Sequence, residues 1–247
     1  MDQLIYTAMT GAKQFMEQQA TVAHNLANVN TTGFKAQFDA LRAVPVGNPN
    51  FPVSTQVIDE TVGSDFSKGN LLQTGRSLDI AVEGDGWIAV QNRDGREAYT
   101  RAGNLKITEN GLLQTASGLI VQGENGPISI PADTSIVIDK DGAVSYAVPG
   151  GSIQTQTVID RLKLVKFDNK DLARGDDGLF YANIQAEPAQ SDPNLRVLSG
   201  FLEASNVNPV DAMVRMLSLS KQFDLQMEML KNAQTNGAKS SQIMSLT

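Results

Sequence analysis

Cysteine is absent from the 247-residue chain. That excludes a disulfide framework, thiolate chemistry and thiolate metal sites. It suits a protein that passes through an oxidising compartment, although many cytosolic proteins share the trait. Histidine occurs once, as His24, too few for a histidine metal cluster. With no helper nearby, a Ser-His-Asp triad is not expected either. Basic charge is in short supply: 20 Lys and Arg stand against 27 Asp and Glu, for a net charge of −7. Phosphate recognition needs clustered cations, so nucleic acid is not an expected partner. No apolar run approaches the ~18 residues that suggest a membrane-spanning helix. The opening MDQLIYTAMTGAKQF lacks a basic n-region and a long apolar h-region, so no cleaved signal peptide is expected.

Glycine is scarce and proline absent at the two ends, residues 1–32 and 210–247. Of 21 Gly, only Gly11 and Gly237 fall within residues 1–32 and 210–247, and no Pro precedes Pro45 or follows Pro209. These residues break helices and punctuate turns, so the ends can be long helices while the middle is cut into short pieces. At the start, Ile5, Met9, Ala12, Met16, Gln19, Ala23 and Leu26 follow a heptad-like spacing. Ala8, Phe15, Val22 and Val29 form a second stripe. At the end, Met213, Met216, Ser220, Phe223, Met227 and Leu230 repeat the spacing with one polar exception. Asn208, Pro209 and Asp211 suit the start of that helix as cap, first-turn residue and dipole partner.

Candidate packing and assembly residues are therefore Ile5, Met9, Ala12, Phe15, Met16, Val22 and Leu26 in the first helix. Their counterparts in the second are Met213, Met216, Phe223, Met227 and Leu230. An ordinary helix pair in one core would also show such stripes. The polar face of the first helix argues for more. It carries Gln3, Thr7, Gln14, Gln18, Thr21 and Asn25, with only Lys13 and Glu17 charged. A solvated face is usually richer in Lys and Glu. The two ends are nearly neutral, so the middle carries the whole negative charge. Ends that tolerate close contact and a middle that stays in water suit an assembling subunit.

The middle reads as β structure. Ser77–Glu83 alternates, Gly84-Asp85-Gly86 turns, and Trp87–Gln91 runs as a strand. Asp94-Gly95, Asn110-Gly111 and Ser117-Gly118 separate further short runs, as hairpin turns do. The expected fold class is α+β: paired, coiled-coil-like terminal helices and a central all-β antiparallel domain. Residues 1–34 and 206–247 would form the helical assembly domain and 76–184 the β domain. Residues 35–75 and 185–205 would be irregular connectors.

The search for chemistry yields little. Gly84-Asp85-Gly86 lacks the third glycine of a dinucleotide fingerprint and no helix follows. Asp139, Asp141 and Gly142 make an incomplete calcium loop, because Val137 stands at the first acidic position. Glu83 and Asp85 could act on a glycan, yet nothing separates them from turn residues. A secreted glycan-binding β domain stays open as a second reading. Trp87, the single tryptophan, reads as a core residue. No catalytic residue, metal or cofactor is expected.

Four stretches belong together: NLANVNTTGFK at Asn25–Lys35, GRSLDIAVEGDGWIAV at Gly75–Val90, YTRAGNLKITENGLLQTASGLIVQG at Tyr99–Gly123, and LEASNVNPVDAMVRM at Leu202–Met216. In this order they resemble the flagellar basal-body rod and hook family. The start of the chain and LRAVPV at Leu41–Val46 are most similar to its proximal rod members, with a sibling such as a distal rod protein as the alternative. The resemblance implies a structural subunit of a hollow drive shaft. It implies export by the flagellar type III apparatus without a cleaved signal, and location in the periplasmic rod of the basal body. Expected partners are copies of itself and the other proximal and distal rod proteins. The motif residues Asn25, Leu26, Ala27, Asn28, Thr32, Gly33 and Phe34 would position the first helix, and Asn206, Asn208 and Pro209 would start the second.

Overall fold

The computed structural model of the protein describes residues 2–48, 51–131, 134–147, 157–168, 170–182 and 189–244. Two helices flank a run of short strands, and the class is α+β. Helix α1 spans Asp2–Ala27. Strands β1 (Gln37–Asn48), β2 (Phe51–Ser64) and β3 (Leu71–Gln73) follow. Next come β4 (Ile80–Glu83), β5 (Gly86–Gln91), β6 (Glu97–Thr100), β7 (Leu105–Ile107), β8 (Leu113–Thr115) and β9 (Ile120–Gly123). Then β10 (Gly126–Pro127), β11 (Ser135–Ile138), β12 (Ala143–Ala147), β13 (Thr157–Arg161) and β14 (Leu164–Lys166). The strands end with β15 (Leu172–Arg174), β16 (Phe180–Ala182), β17 (Arg196–Ser199) and β18 (Phe201–Glu203), and helix α2 spans Pro209–Met244.

The chain divides into two compact units. The helical unit comprises Met1–Val29, Ala36–Asp65 and Val207–Thr247; the body comprises Asn30–Lys35 and Phe66–Asn206. In the helical unit α1 packs on α2. Strands β1 and β2 form a long antiparallel ribbon, from Gln37 paired with Ser64 to Asn48 paired with Phe51. An irregular connector was the expectation for residues 35–75, and Pro45, Gly47 and Pro52 fall inside the ribbon. In a two-stranded ribbon every strand is an edge, and an edge tolerates proline. The region 185–205, also expected as a connector, contributes β17 and β18 to the body.

Antiparallel pairing dominates the body. The largest sheet runs β15-β16-β6-β5-β9-β8-β7, with β10 beside β9 and β14 beside β5. Alternation along β5 explains the layering. Ile88 and Val90 enter one apolar cluster with Ile80, Leu105, Leu113, Val121 and Val144. Trp87 and Ala89 enter a second, with Tyr99, Val165 and Phe180. A strand buried on both faces lies at the centre of the domain. Trp87 is a core residue, its ring 4.7 Å from that of Phe180.

Tyr99 places a phenol in this second cluster, with its hydroxyl donating to Glu97 Oε1 at 3.0 Å. Burial, and after it the negative charge of Glu97, push the phenol well above its ordinary range. A pKa raised in the folded state favours the neutral phenol. Its stabilising effect is therefore complete below the unfolded value near ~10 and is lost as pH climbs past it. Urea denaturation of the wild-type chain is expected to show a lower midpoint at alkaline pH, and Tyr99→Phe to flatten that decline. An unchanged slope in Tyr99→Phe would remove the phenol from the account.

Candidate assembly interface

The helix pair meets along a heptad seam. On α1 the partly or fully buried positions include Ile5, Ala8, Ala12, Phe15, Gln19, Val22 and Leu26. On α2 they include Ala212, Met216, Leu219, Phe223, Gln226 and Leu230. Small residues let the backbones approach: Ala8 and Ala12 are buried, and a Cβ on Gly11 would lie 3.4 Å from the Gln226 side-chain amide. Of the residues picked from sequence, Ile5, Ala12, Phe15, Val22, Leu26, Met216, Phe223 and Leu230 lie on this buried stripe. Met9, Met16, Met213 and Met227 lie outside it, with 45–57% of their surface exposed. The two stripes read on α1 thus merge into one, running through Ala8, Phe15 and Val22 instead of Met9, Met16 and Ala23.

The outer faces of the helices are unusually apolar. Tyr6, Met9 and Met16 are exposed on α1. Val210, Met213, Val214 and Leu217 form an exposed i, i+3, i+4, i+7 set on α2, and Leu225 and Met229 extend the apolar surface. Clustered exposed apolar side chains of this kind mark interaction sites.

Local hydrogen bonds explain the motif residues at the helix ends. Asn25 is buried and its side-chain amide makes both bonds to the backbone of Gln37: Nδ2 donates to Gln37 O at 2.7 Å, and Gln37 N donates to Oδ1 at 2.8 Å. Thr21 Oγ1 donates to Asp39 Oδ1 at 2.7 Å. The last turns of α1 are thereby stitched to the start of β1. Asn28 Nδ2 donates to His24 O at 2.9 Å, satisfying a carbonyl at the helix end. Asn208 Oδ1 accepts from Val210 N at 3.0 Å and caps α2, with Pro209 in the first helical position. Ala27, Asn208 and Pro209 are exposed, and Asn28, Thr32 and Asn206 are half-buried.

Gly33 and Phe34 belong to a different constellation, in the body. Gly33 takes φ +69°, and a Cβ there would lie 2.3 Å from the Arg101 carbonyl carbon. Its N donates to Glu203 O at 2.8 Å. The Glu203 carboxylate is buried between two cations: Lys35 Nζ at 2.6 Å from Oε1 and Arg101 at 3.2 Å from Oε2. Gly69 N adds a third bond, to Oε1. Lys35 Nζ also donates to Ser67 O at 2.8 Å. Arg101 bonds Val82 O and Gly84 O, and its guanidinium carbon lies 5.3 Å from the centroid of the Trp87 ring. Burial pushes the Arg101 guanidinium down, and Glu203 holds against it.

Sequence reasoning missed this cluster. The signal was present: Lys35, Arg101 and Glu203 are charged residues inside three of the four motif stretches. A charge embedded among Gly, Phe, Ala and Leu is costly to bury unless paired. Among the described residues no group of His, Asp and Glu could hold a metal ion.

Comparison with known proteins fits this layout. Residues 5–35, which carry α1 and the segment up to Lys35, match the family model "Flagella basal body rod protein". Residues 81–146 match "Flagellar hook protein FlgE/F/G D1 domain", and 198–243 match "Flagellar basal body rod FlgEFG protein C-terminal". The flagellar basal-body rod protein FlgF of Escherichia coli (strain K12) is 43% identical over the full length of both chains. The chain belongs to the flagellar basal-body rod protein family. The FlgF of Salmonella typhimurium is 42% identical over the full length of both. The FlgG of Buchnera aphidicola subsp. Acyrthosiphon pisum is 30% identical over 97% of this chain and 98% of its own. The protein is a structural rod subunit of the flagellar basal body, most like FlgF, in a family of structural proteins and not of enzymes.

Proposed function

We propose that the chain polymerises through its terminal helices into the proximal part of the rod, a hollow shaft that carries torque across the periplasm. The supporting observation is the exposed apolar surface of α2, from Val210 to Met229, on a helix already paired along its other side. A helix with apolar residues beyond its seam gains by packing against further helices. Copies of the same chain and the other proximal and distal rod proteins would supply them. The ends would gain their final order only at the growing tip. Export by the flagellar type III apparatus, without a cleaved signal, belongs to the same proposal.

Locating the subunit in isolated basal bodies tests the reading. An epitope inserted at Asn169, labelled with gold-tagged antibody, is expected to mark the rod segment next to the membrane ring. Label in the distal rod or hook would overturn the proximal placement and favour a sibling role.

A further inference from the structure

Both ends of the body are held at one point. The segment Asn30–Lys35 follows α1, and β18 with the residues up to Asn206 precedes α2; both lie in the body. Their backbones are bonded directly. Gly33 N donates to Glu203 O at 2.8 Å, and Asn206 N donates to Phe34 O at 3.4 Å. The later residue of one segment pairs with the later residue of the other, so the segments run in the same sense. Tension on the two chain ends pulls such segments past each other along their length. Both bonds are then loaded together, in shear, and do not open one by one.

Side chains reinforce the same point. The Lys35–Glu203 ion pair joins the two segments at 2.6 Å, with 1% and 3% of the side chains exposed. Arg101, the residue directly after β6, ties Glu203 to that part of the body at 3.2 Å. Arg174 donates to Lys35 O at 2.8 Å and its guanidinium stacks 4.6 Å from the Phe34 ring centroid. The chain at 67–70 closes the cluster. Asn206 Nδ2 donates to Ser67 O, Ala204 N to Asn70 O, and Gly69 packs its Cα against Ala204 where a Cβ would lie 1.8 Å from the carbonyl oxygen.

We propose that the Lys35–Glu203–Arg101 cluster is a mechanical clamp: force arriving along the chain from either helix stops at it before reaching the sheets of the body. The inference deepens the rod reading, in which subunits bear load. Its test uses the isolated full-length chain, so failure there leaves the rod assignment standing. Buried charges suit this task. They add a directional, charge-assisted bond at the one place where two distant segments must not slip. The carboxylate is shared, so losing it leaves two buried cations without it.

Single-molecule stretching of the full-length chain by its two ends is the decisive experiment. Rupture of the clamp releases the chain from Lys35 to Glu203, a sequence separation of 168, for an extension of roughly 600 Å at ~3.6 Å per residue. Glu203→Gln is expected to lower the force of that event at least about twofold while keeping its length. Lys35→Met keeps the Arg101–Glu203 pair one to one and supplies the readout if Glu203→Gln does not fold. It too is expected to weaken the event. Lys163→Met, which removes a partly buried pair with Glu97 inside the body, should leave the force unchanged. A wild-type force in Lys35→Met, or an equal loss in Lys163→Met, overturns the clamp.

Discussion

Replacing Gly33 by alanine is expected to cost the body about 3 kcal/mol or more, read as a lower urea midpoint at unchanged slope. Two costs add. The backbone stands at φ +69°, where an L side chain costs roughly 1–2 kcal/mol. The new Cβ would also lie 2.3 Å from the Arg101 carbonyl carbon and 2.4 Å from Ala102 N. Both are backbone atoms next to β6, so the clash cannot be relieved by turning a side chain. Overpacking of this kind costs typically ~1–3 kcal/mol. Gly75 separates the two costs. It stands at φ +72°, but nothing lies within 4 Å of a Cβ there. Gly75→Ala should therefore lose only the conformational part, about 1–2 kcal/mol. Equal losses at the two sites would show that close approach to Arg101 does not matter.

This contrast shows how far the sequence can be read. Gly33 and Gly75 both follow Thr within a few residues and both suggest a turn. Nothing local tells that only one of them is pressed against the distant backbone of Arg101 and Ala102. The same limit governs the cluster around Glu203. Lys35, Arg101 and Glu203 are visible as charges in apolar surroundings, but their meeting depends on pairings that span 102 and 168 residues. Local patterns fared better. The heptad spacing places both helices, and Asn-Gly and Asp-Gly pairs place the hairpins of the body, because each rests on residues that touch within a few positions.

Periodicity offered two stripes on α1, and the buried line draws on both: Ile5, Ala12 and Leu26 from the first, Ala8, Phe15 and Val22 from the second. Met9 and Met16 satisfy an apolar heptad as well as Ala8 and Phe15 do. The structure prefers the smaller Ala8 in the seam and leaves the methionines outside. Hydrophobicity alone cannot rank a methionine against an alanine when the seam needs close backbone approach, as at Gly11. The long β1–β2 ribbon escaped for another reason. Its prolines argue against a strand unless the strand has no second neighbour, and sequence does not announce that.

Asp placed at Leu217 is expected to abolish rod assembly while leaving the isolated chain as helical as wild type. Leu217 is 60% exposed, on the apolar set that begins at Val210. In the monomer its replacement removes little packing, so a change beyond about 0.5 kcal/mol in stability is not expected. In an assembled shaft the same carboxylate would be buried without a partner, which proteins avoid at large cost. Phe223→Asp is the matched comparison. Phe223 is half-buried in the seam between α1 and α2, so its substitution should loosen the helix pair itself, visible as lost helicity. Both variants are expected to be non-motile in cells lacking the wild-type gene, for different reasons. Circular dichroism of the purified chains and swimming in soft agar distinguish them. Wild-type swimming by Leu217→Asp would remove the exposed face of α2 from the assembly surface and leave only the seam to account for the helices.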